Sequence, residues 1–309
     1  MQSLLSKPAF ILQVFFLVII LGGLACFLGC DDTYEFEKET YLRFLNLIPN
    51  AGELDVIVAL NNNQQFSDSQ YIYLYVDYLE TSGEGDVGTP LQDLSTPFFK
   101  TFEATALTEL YVTHHVDPTV TNPWESVIGF IPDVNPSETL HPIENTYYTS
   151  LAMGMINPIE DTSENIYQNS KQFRTIASTG GTTDPTQAQL RFINASADVR
   201  EFDIYDREDL STTDPIISSE YATIPSTYLS VEPGQLSANR FGLSVTGTSI
   251  QFYEFPTDLE TWVVEAGQRY LVLVVGVYHL YRHPEADPPT NVAEIMDQVE
   301  GKVILIQES

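Results

Sequence analysis

A six-residue phrase that occurs twice constrains the fold of this chain more than any other feature. Tyr41-Leu42-Arg43-Phe44-Leu45-Asn46 returns as Gln189-Leu190-Arg191-Phe192-Ile193-Asn194, 148 residues later (41 to 189), and the spacing holds without a gap through Glu53/Glu201 and Asp55/Asp203. Each copy alternates at period two, bends through a small or Pro/Asp-rich stretch, and resumes as E-x-D followed by apolar residues. That is a strand, a turn and a second strand. Solenoid units recur every ~20–50 residues, so a repeat this long marks a duplicated domain. The 309 residues leave room for two such domains, each with a core of its own.

The rest of the chain keeps the same order. In the first copy, Tyr71-Ile72-Tyr73-Leu74-Tyr75-Val76 alternates tyrosine with aliphatic residues, and strands are predicted at 98–102, 107–113, 126–131, 147–156 and 171–177. In the second, strands are predicted at 190–195, 202–205, 228–231, 241–245, 250–255 and 301–306, with one short helix at 291–299. The run Arg269-Tyr270-Leu271-Val272-Leu273-Val274-Val275-Gly276 is almost continuously apolar and reads as a strand buried on both faces. It matches residues 147–154, with Tyr270 over Tyr148 and Gly276 over Gly154. Many short strands with Gly/Pro turns and almost no helical periodicity predict an all-β protein, two tandem antiparallel β-sandwiches. The boundaries follow from composition: 1–30 a signal or anchor segment, 31–40 a charged tether, 41–178 the first sandwich, 179–187 a linker and 188–309 the second.

The N-terminus carries Lys7, an apolar run from Ala9 to Leu28, and then Gly29-Cys30-Asp31-Asp32. A cysteine behind a small residue and ahead of polar sequence is the pattern of a bacterial lipoprotein signal, with Cys30 as the lipidated residue and Cys26 as the competing one. Choosing Cys26 would leave Phe27-Leu28-Gly29 in the mature head. An uncleaved anchor helix is the other reading of an apolar run near 20 residues. All readings place the acidic remainder outside the cytoplasm, in the cell envelope. Cys26 and Cys30 are the chain's two cysteines, so the folded part has no disulfide framework and no thiolate metal site.

With 13 Lys+Arg against 43 Asp+Glu the net charge is −30, which repels phosphate backbones and argues against nucleic acid as a partner. There is no nucleophile elbow, P-loop, dinucleotide fingerprint or EF-hand loop. His114 and His115 are adjacent, and the His279/His283 pair lacks a catalytic glutamate and precedes Pro284. No enzyme and no cofactor are expected. Asp206, Glu208 and Asp209 with Asp214 form the densest acidic loop of the second sandwich, the one place where oxygen ligands for Ca²⁺ gather. The Tyr71/Tyr73/Tyr75 stripe would suit sugar stacking on a sheet face, although cross-strand packing uses the same pattern. Arg43 and Asp55, and likewise Arg191 and Asp203, share parity on successive strands. In a chain short of bases, that predicts one structural ion pair per repeat.

The phrase at 42–56 and 190–204, with Pro225-Ser226-Thr227-Tyr228-Leu229-Ser230-Val231-Glu232-Pro233-Gly234 and Glu265-Ala266-Gly267-Gln268-Arg269-Tyr270 in the second copy, resembles the domain of unknown function numbered 4397 (DUF4397) of secreted and envelope-anchored bacterial proteins. The second copy fits better; the first lacks the P-x-Y-L stretch and carries an insertion around 81–97. The resemblance implies an immunoglobulin-like sandwich and hands over no catalytic residues. The function expected is a non-catalytic, adhesion-like module held at a membrane by a lipid, with an envelope protein or glycan as partner. A carbohydrate- or Ca²⁺-binding accessory module is the alternative, and a hydrolase stands behind both.

Overall fold

The structure, a computed structural model, describes residues 39–60, 71–76, 80–82, 88–90, 100–103, 108–114, 128, 137–140, 143–156, 160–161, 166–178, 180–182, 184–208, 214–247, 251–258, 260–278 and 301–308. Every regular element among them is a strand. The first repeat contains β1 (Glu39–Leu47), β2 (Leu54–Leu60), β3 (Tyr71–Val76), β4 (Glu80–Ser82), β5 (Gly88–Pro90), β6 (Lys100–Glu103), β7 (Thr108–His114), β8 (Ser137–Leu140), β9 (Tyr147–Met153), β10 (Glu160–Asp161), β11 (Ile166–Tyr167) and β12 (Gln172–Ser178). The second contains β13 (Ala188–Ser196), β14 (Glu201–Asp206), β15 (Ile217–Glu220), β16 (Leu229–Val231), β17 (Gly234–Gln235), β18 (Phe241–Val245), β19 (Gln251–Phe255), β20 (Val263–Val264), β21 (Arg269–Gly276) and β22 (Lys302–Gln307).

The bend after the repeated phrase does not fold β2 back beside β1; it carries the chain to the opposite sheet. One sheet of the first sandwich runs β12-β9-β1-β4-β5, and the other β3-β2-β7-β8. The second sandwich repeats this plan with β16-β13-β21-β22 facing β15-β14-β18-β19. Pairing is antiparallel except at the centre of one sheet in each, where β1 lies parallel to β9 and β13 parallel to β21. Those partners are separated by excursions into the opposite sheet. No hairpin forces them to run in opposite directions.

Strand parity then decides what each side chain meets. Leu42 and Phe44 of β1 join Leu54, Val56, Leu110, Val112 and Phe173 in the core of the first sandwich. Leu190 and Phe192 of β13 do the same with Phe202, Ile204, Phe241, Phe255 and Val272. The opposite faces of β1 and β13 are also buried. Leu45, Leu47, Leu151, Met153 and Ile176 pack against Ile193, Ala195, Leu271, Leu273, Val275, Ile304 and Ile306 in a third apolar layer. The sandwiches are therefore stacked four sheets deep, and residues 38–309 form one compact unit. The near-continuous apolar run at 269–276 has its cause here: seven of the eight residues of β21 are buried because both faces are covered.

Polar seams close the stack at both ends of this layer. Arg43 Nη2 of β1 donates to the carbonyl of Gln307 in β22 at 2.9 Å. On the other side, Asn169, just before β12, donates from its main-chain N–H to Ala197 O at 2.7 Å and from its amide to Ser196 O and Val199 O. Tyr221 donates to Ser170 O at 2.7 Å beside Gly154, whose φ of +90° and missing side chain both serve that close approach.

Candidate functional site

The repeated phrase resolves into three jobs. Its Leu and Phe enter a sandwich core, its Arg enters the seam between sandwiches, and its Asn holds the bend. The Asn46 amide donates to Gly52 O and Val76 O, both at 3.0 Å, while its carbonyl oxygen accepts from Ile48 N at 3.1 Å. Asn194 repeats the arrangement, donating to Val199 O at 3.0 Å and Ser219 O at 3.4 Å and accepting from Ser196 N and Oγ. A chain leaving a sheet has main-chain groups with no ladder partner, and one buried amide satisfies several of them. The tyrosines matched in the sequence form a second repeated device. Ile143 N donates to the Tyr148 hydroxyl at 3.1 Å, and Glu265 N to that of Tyr270 at 2.9 Å. Burial raises the pKa of both phenols above the ordinary tyrosine value.

The main buried charge cluster lies at the β1/β22 side of the seam. Arg43 is fully buried and donates to Thr149 Oγ1 as well as to Gln307 O. Glu308 is 1% exposed, accepts from the Tyr228 hydroxyl at 3.0–3.1 Å, and lies 3.4 Å from Arg191 Nη2. The Tyr228 ring is flanked by two guanidinium groups, that of Arg191 at 4.2 Å and that of Arg269 at 5.0 Å. Burial pushes the Glu308 carboxyl up from its ordinary value, and the charges of Arg191, Arg269 and Arg43 pull it back only in part. Burial likewise lowers Arg191, with Glu308 opposing. Desolvation thus opposes the charge on both partners, and the pair offsets it in part. Nothing in the sequence pairs Glu308 with these arginines. The available hint was basic residues on otherwise apolar strands in a chain with 13 of them.

The predicted pairing of Arg43 with Asp55 and of Arg191 with Asp203 is wrong. Each Arg faces the seam, whereas Leu54, Val56, Phe202 and Ile204 enter the cores and so turn Asp55 and Asp203 to the outer faces of the opposite sheets. Equal parity places two residues on one face only when their strands share a sheet. Asp203 instead accepts from Ser218 Oγ at 2.6 Å, Thr246 Oγ1 at 3.1 Å and Gly247 N at 3.4 Å.

Asp206 and Glu208, the described acids at the start of the acidic loop, are engaged by a neighbouring arginine. Arg240 places Nη2 3.1 Å from Asp206 and Nε 3.5 Å from Glu208, supplying the positive charge from within the chain. Glu208 also accepts from Ser237, and Arg207 pairs with Glu254. Asp214 is exposed, and Asp209 lies outside the described residues. Among the described residues, no three His, Cys, Asp or Glu side chains gather as a metal site. Strand β3 exists and pairs with β2, but the side chains of Tyr71, Tyr73 and Tyr75 lie outside the described part, as do Cys26, Cys30 and the helix expected at 291–299. Among the described residues no helix is long and apolar enough to cross a membrane.

Comparison with known proteins gives little to set beside this geometry. No family model matches the chain, and no curated protein is similar to it. Among solved structures it is similar to a "putative cell adhesion protein from Bacteroides ovatus ATCC 8483", at 9% identity over 88% of this chain and 96% of that one. The TM-score of that match is 0.20, and a likeness of that size carries no argument about shared architecture or role.

Proposed function

We propose that this chain is a non-catalytic, adhesion-like module of the cell envelope, tethered through a lipid on Cys30 and presenting a rigid pair of sandwiches outside the cytoplasm. The observation that carries this reading is where the charged groups are spent. Arg43 ties the first sandwich to the second through Gln307, Arg191 and Glu308 pair beside it within the second, and Arg240 and Arg207 are engaged by neighbouring carboxylates. Charged side chains are thus committed to fixing one body and leave a strongly acidic surface. The leader sequence and the two aspartates after Cys30 support export and anchoring.

The test uses cells producing the full chain, the Cys30→Ala variant and the Cys26→Ala variant, fed a clickable fatty acid. The reading expects label on the wild type and Cys26→Ala and loss of label, membrane retention and attachment to a matrix-coated surface with Cys30→Ala. Attachment unchanged by release of the protein would sink the adhesive part. A rise in melting temperature with Ca²⁺ or a glycan would replace it with a ligand-binding accessory role.

A further inference from the structure

The seam between the sandwiches has the signature of a two-fold interface. Leu45 faces Leu151 in register as Ile193 faces Leu273, and Thr149 faces Ile176 as Leu271 faces Ile306. Five seam positions are consequently matched and apolar in both halves: Leu45/Ile193, Leu47/Ala195, Leu151/Leu273, Met153/Val275 and Ile176/Ile306. The contacts are exchanged in the way two-fold symmetry requires. Strand β1 of the first sandwich meets β22 of the second through Arg43 and Gln307, and the segment entering β12 meets the end of β13 through Asn169 and Ala197. Replacing each strand by its counterpart turns the β1·β22 pair into the β13·β12 pair, with the two polar contacts at opposite ends of the layer. An interface in which i meets j and j meets i is isologous, built from one patch used twice.

We propose that this face is a homotypic recognition surface: the β13-β21-β22 face of the second sandwich, once uncovered, pairs with the same face of a second copy of this chain. The charges favour that face over its counterpart on the first sandwich. Glu308 follows β22 and bonds through its N–H to Arg269 O; the matched position is Ser178, the last residue of β12, which pairs with Tyr147. Two second-sandwich faces would bring an acid to each arginine group. Two first-sandwich faces would set each Arg43 against Ala177, the position matched to Gln307, with a serine where each acid stands. Within one chain the first sandwich occupies the face, which keeps the chain a monomer. The inference goes beyond the proposed function and holds whether or not the chain is anchored.

The experiment uses the chain from residue 31 onward, which contains the whole compact unit. Glutamates at Leu45 and Leu151, register partners in the seam layer, place two like charges in the seam and force it open. Sedimentation of the Leu45→Glu/Leu151→Glu variant over a concentration series should give twice the monomer mass, against a monomeric wild type. Adding Leu273→Glu to the same variant should return it to monomer. Damage to the first sandwich does not spoil the test, because the second has its own core and all its own strand pairs. A double variant that stays monomeric overturns the proposal. So does growth beyond the dimer, which a closed two-fold contact forbids, or association that survives Leu273→Glu.

Discussion

Replacing Asn194 by Asp changes one atom group and removes the amide donor that lies 3.0 and 3.4 Å from two carbonyl oxygens of the bend, Val199 O and Ser219 O. The orientation of the amide is fixed independently, because Ser196 N and Oγ must meet an oxygen on the other side. A protonated carboxyl restores one of the two lost donations, so in acid the variant should be weaker than wild type by about 1 kcal/mol. An ionised carboxylate would face two carbonyls in a site of zero exposure, and the group holds its proton instead. Its folded pKa is then raised above the unfolded value near 4, and the folded state keeps a proton that the unfolded chain has released. The sign follows: the deficit of the variant grows as pH rises through that window. Each unit of raised pKa costs about 1.4 kcal/mol, and the two donors from Ser196 limit the rise. We expect a total deficit of about 3–4 kcal/mol at neutral pH, a large share of a domain's ~5–15 kcal/mol. Urea unfolding of variant and wild type at several pH values reads it as a difference. Asn46→Asp, where the same donors meet Gly52 O and Val76 O, should behave alike, and Asn194→Ala should be destabilised without the pH slope. A neutral-pH deficit below about 1 kcal/mol, or a flat difference curve, refutes the reasoning.

Three further outcomes are expected. Glu308→Gln should remove one part of the pH dependence of stability, because burial raises the native carboxyl and wild-type stability falls as pH climbs through that raised value; paired urea titrations decide it, and difference curves that run parallel would contradict the burial of the carboxyl. Gly154→Ala should cost roughly 2 kcal/mol or more, since its φ is +90° and the added carbon would lie 2.6 Å from Ser170 O and closer still to the Tyr221 hydroxyl; a melting temperature equal to wild type would contradict the packing described. A protease site placed at Gly180-Gly181 should yield two fragments that co-elute under native conditions and separate in urea, because no ladder crosses that point while an apolar layer does.

Strands were legible where an alternating or apolar run was bounded by turn residues. Residues 241–245 were placed to the residue, 202–205 and 190–195 to within two at either end, and the matched Tyr148/Tyr270 and Gly154/Gly276 pairs turned out to be repeated devices, with both glycines at φ near +90°. Strand β15 was missed because Ile217-Ser218-Ser219-Glu220 is a polar edge strand that buries little. The continuous run at 269–276 signalled two covered faces but could not name the cover, since a sequence does not say which of two faces meets which layer. The same blindness misled the Arg–Asp pairing: parity was read correctly, and the sheet was not. Glu308 lies 117 residues from Arg191 and 265 from Arg43; the β13-β21-β22 sheet brings it to the first and the stacking of the sandwiches to the second.

A sheet roofed on both sides has nothing left to offer the outside. In this molecule the two middle sheets are in that position, so whatever the chain meets is met by the outer sheets around β2 and β14 and by the loops at the rims. The residues that lock the halves are not the ones that meet the world.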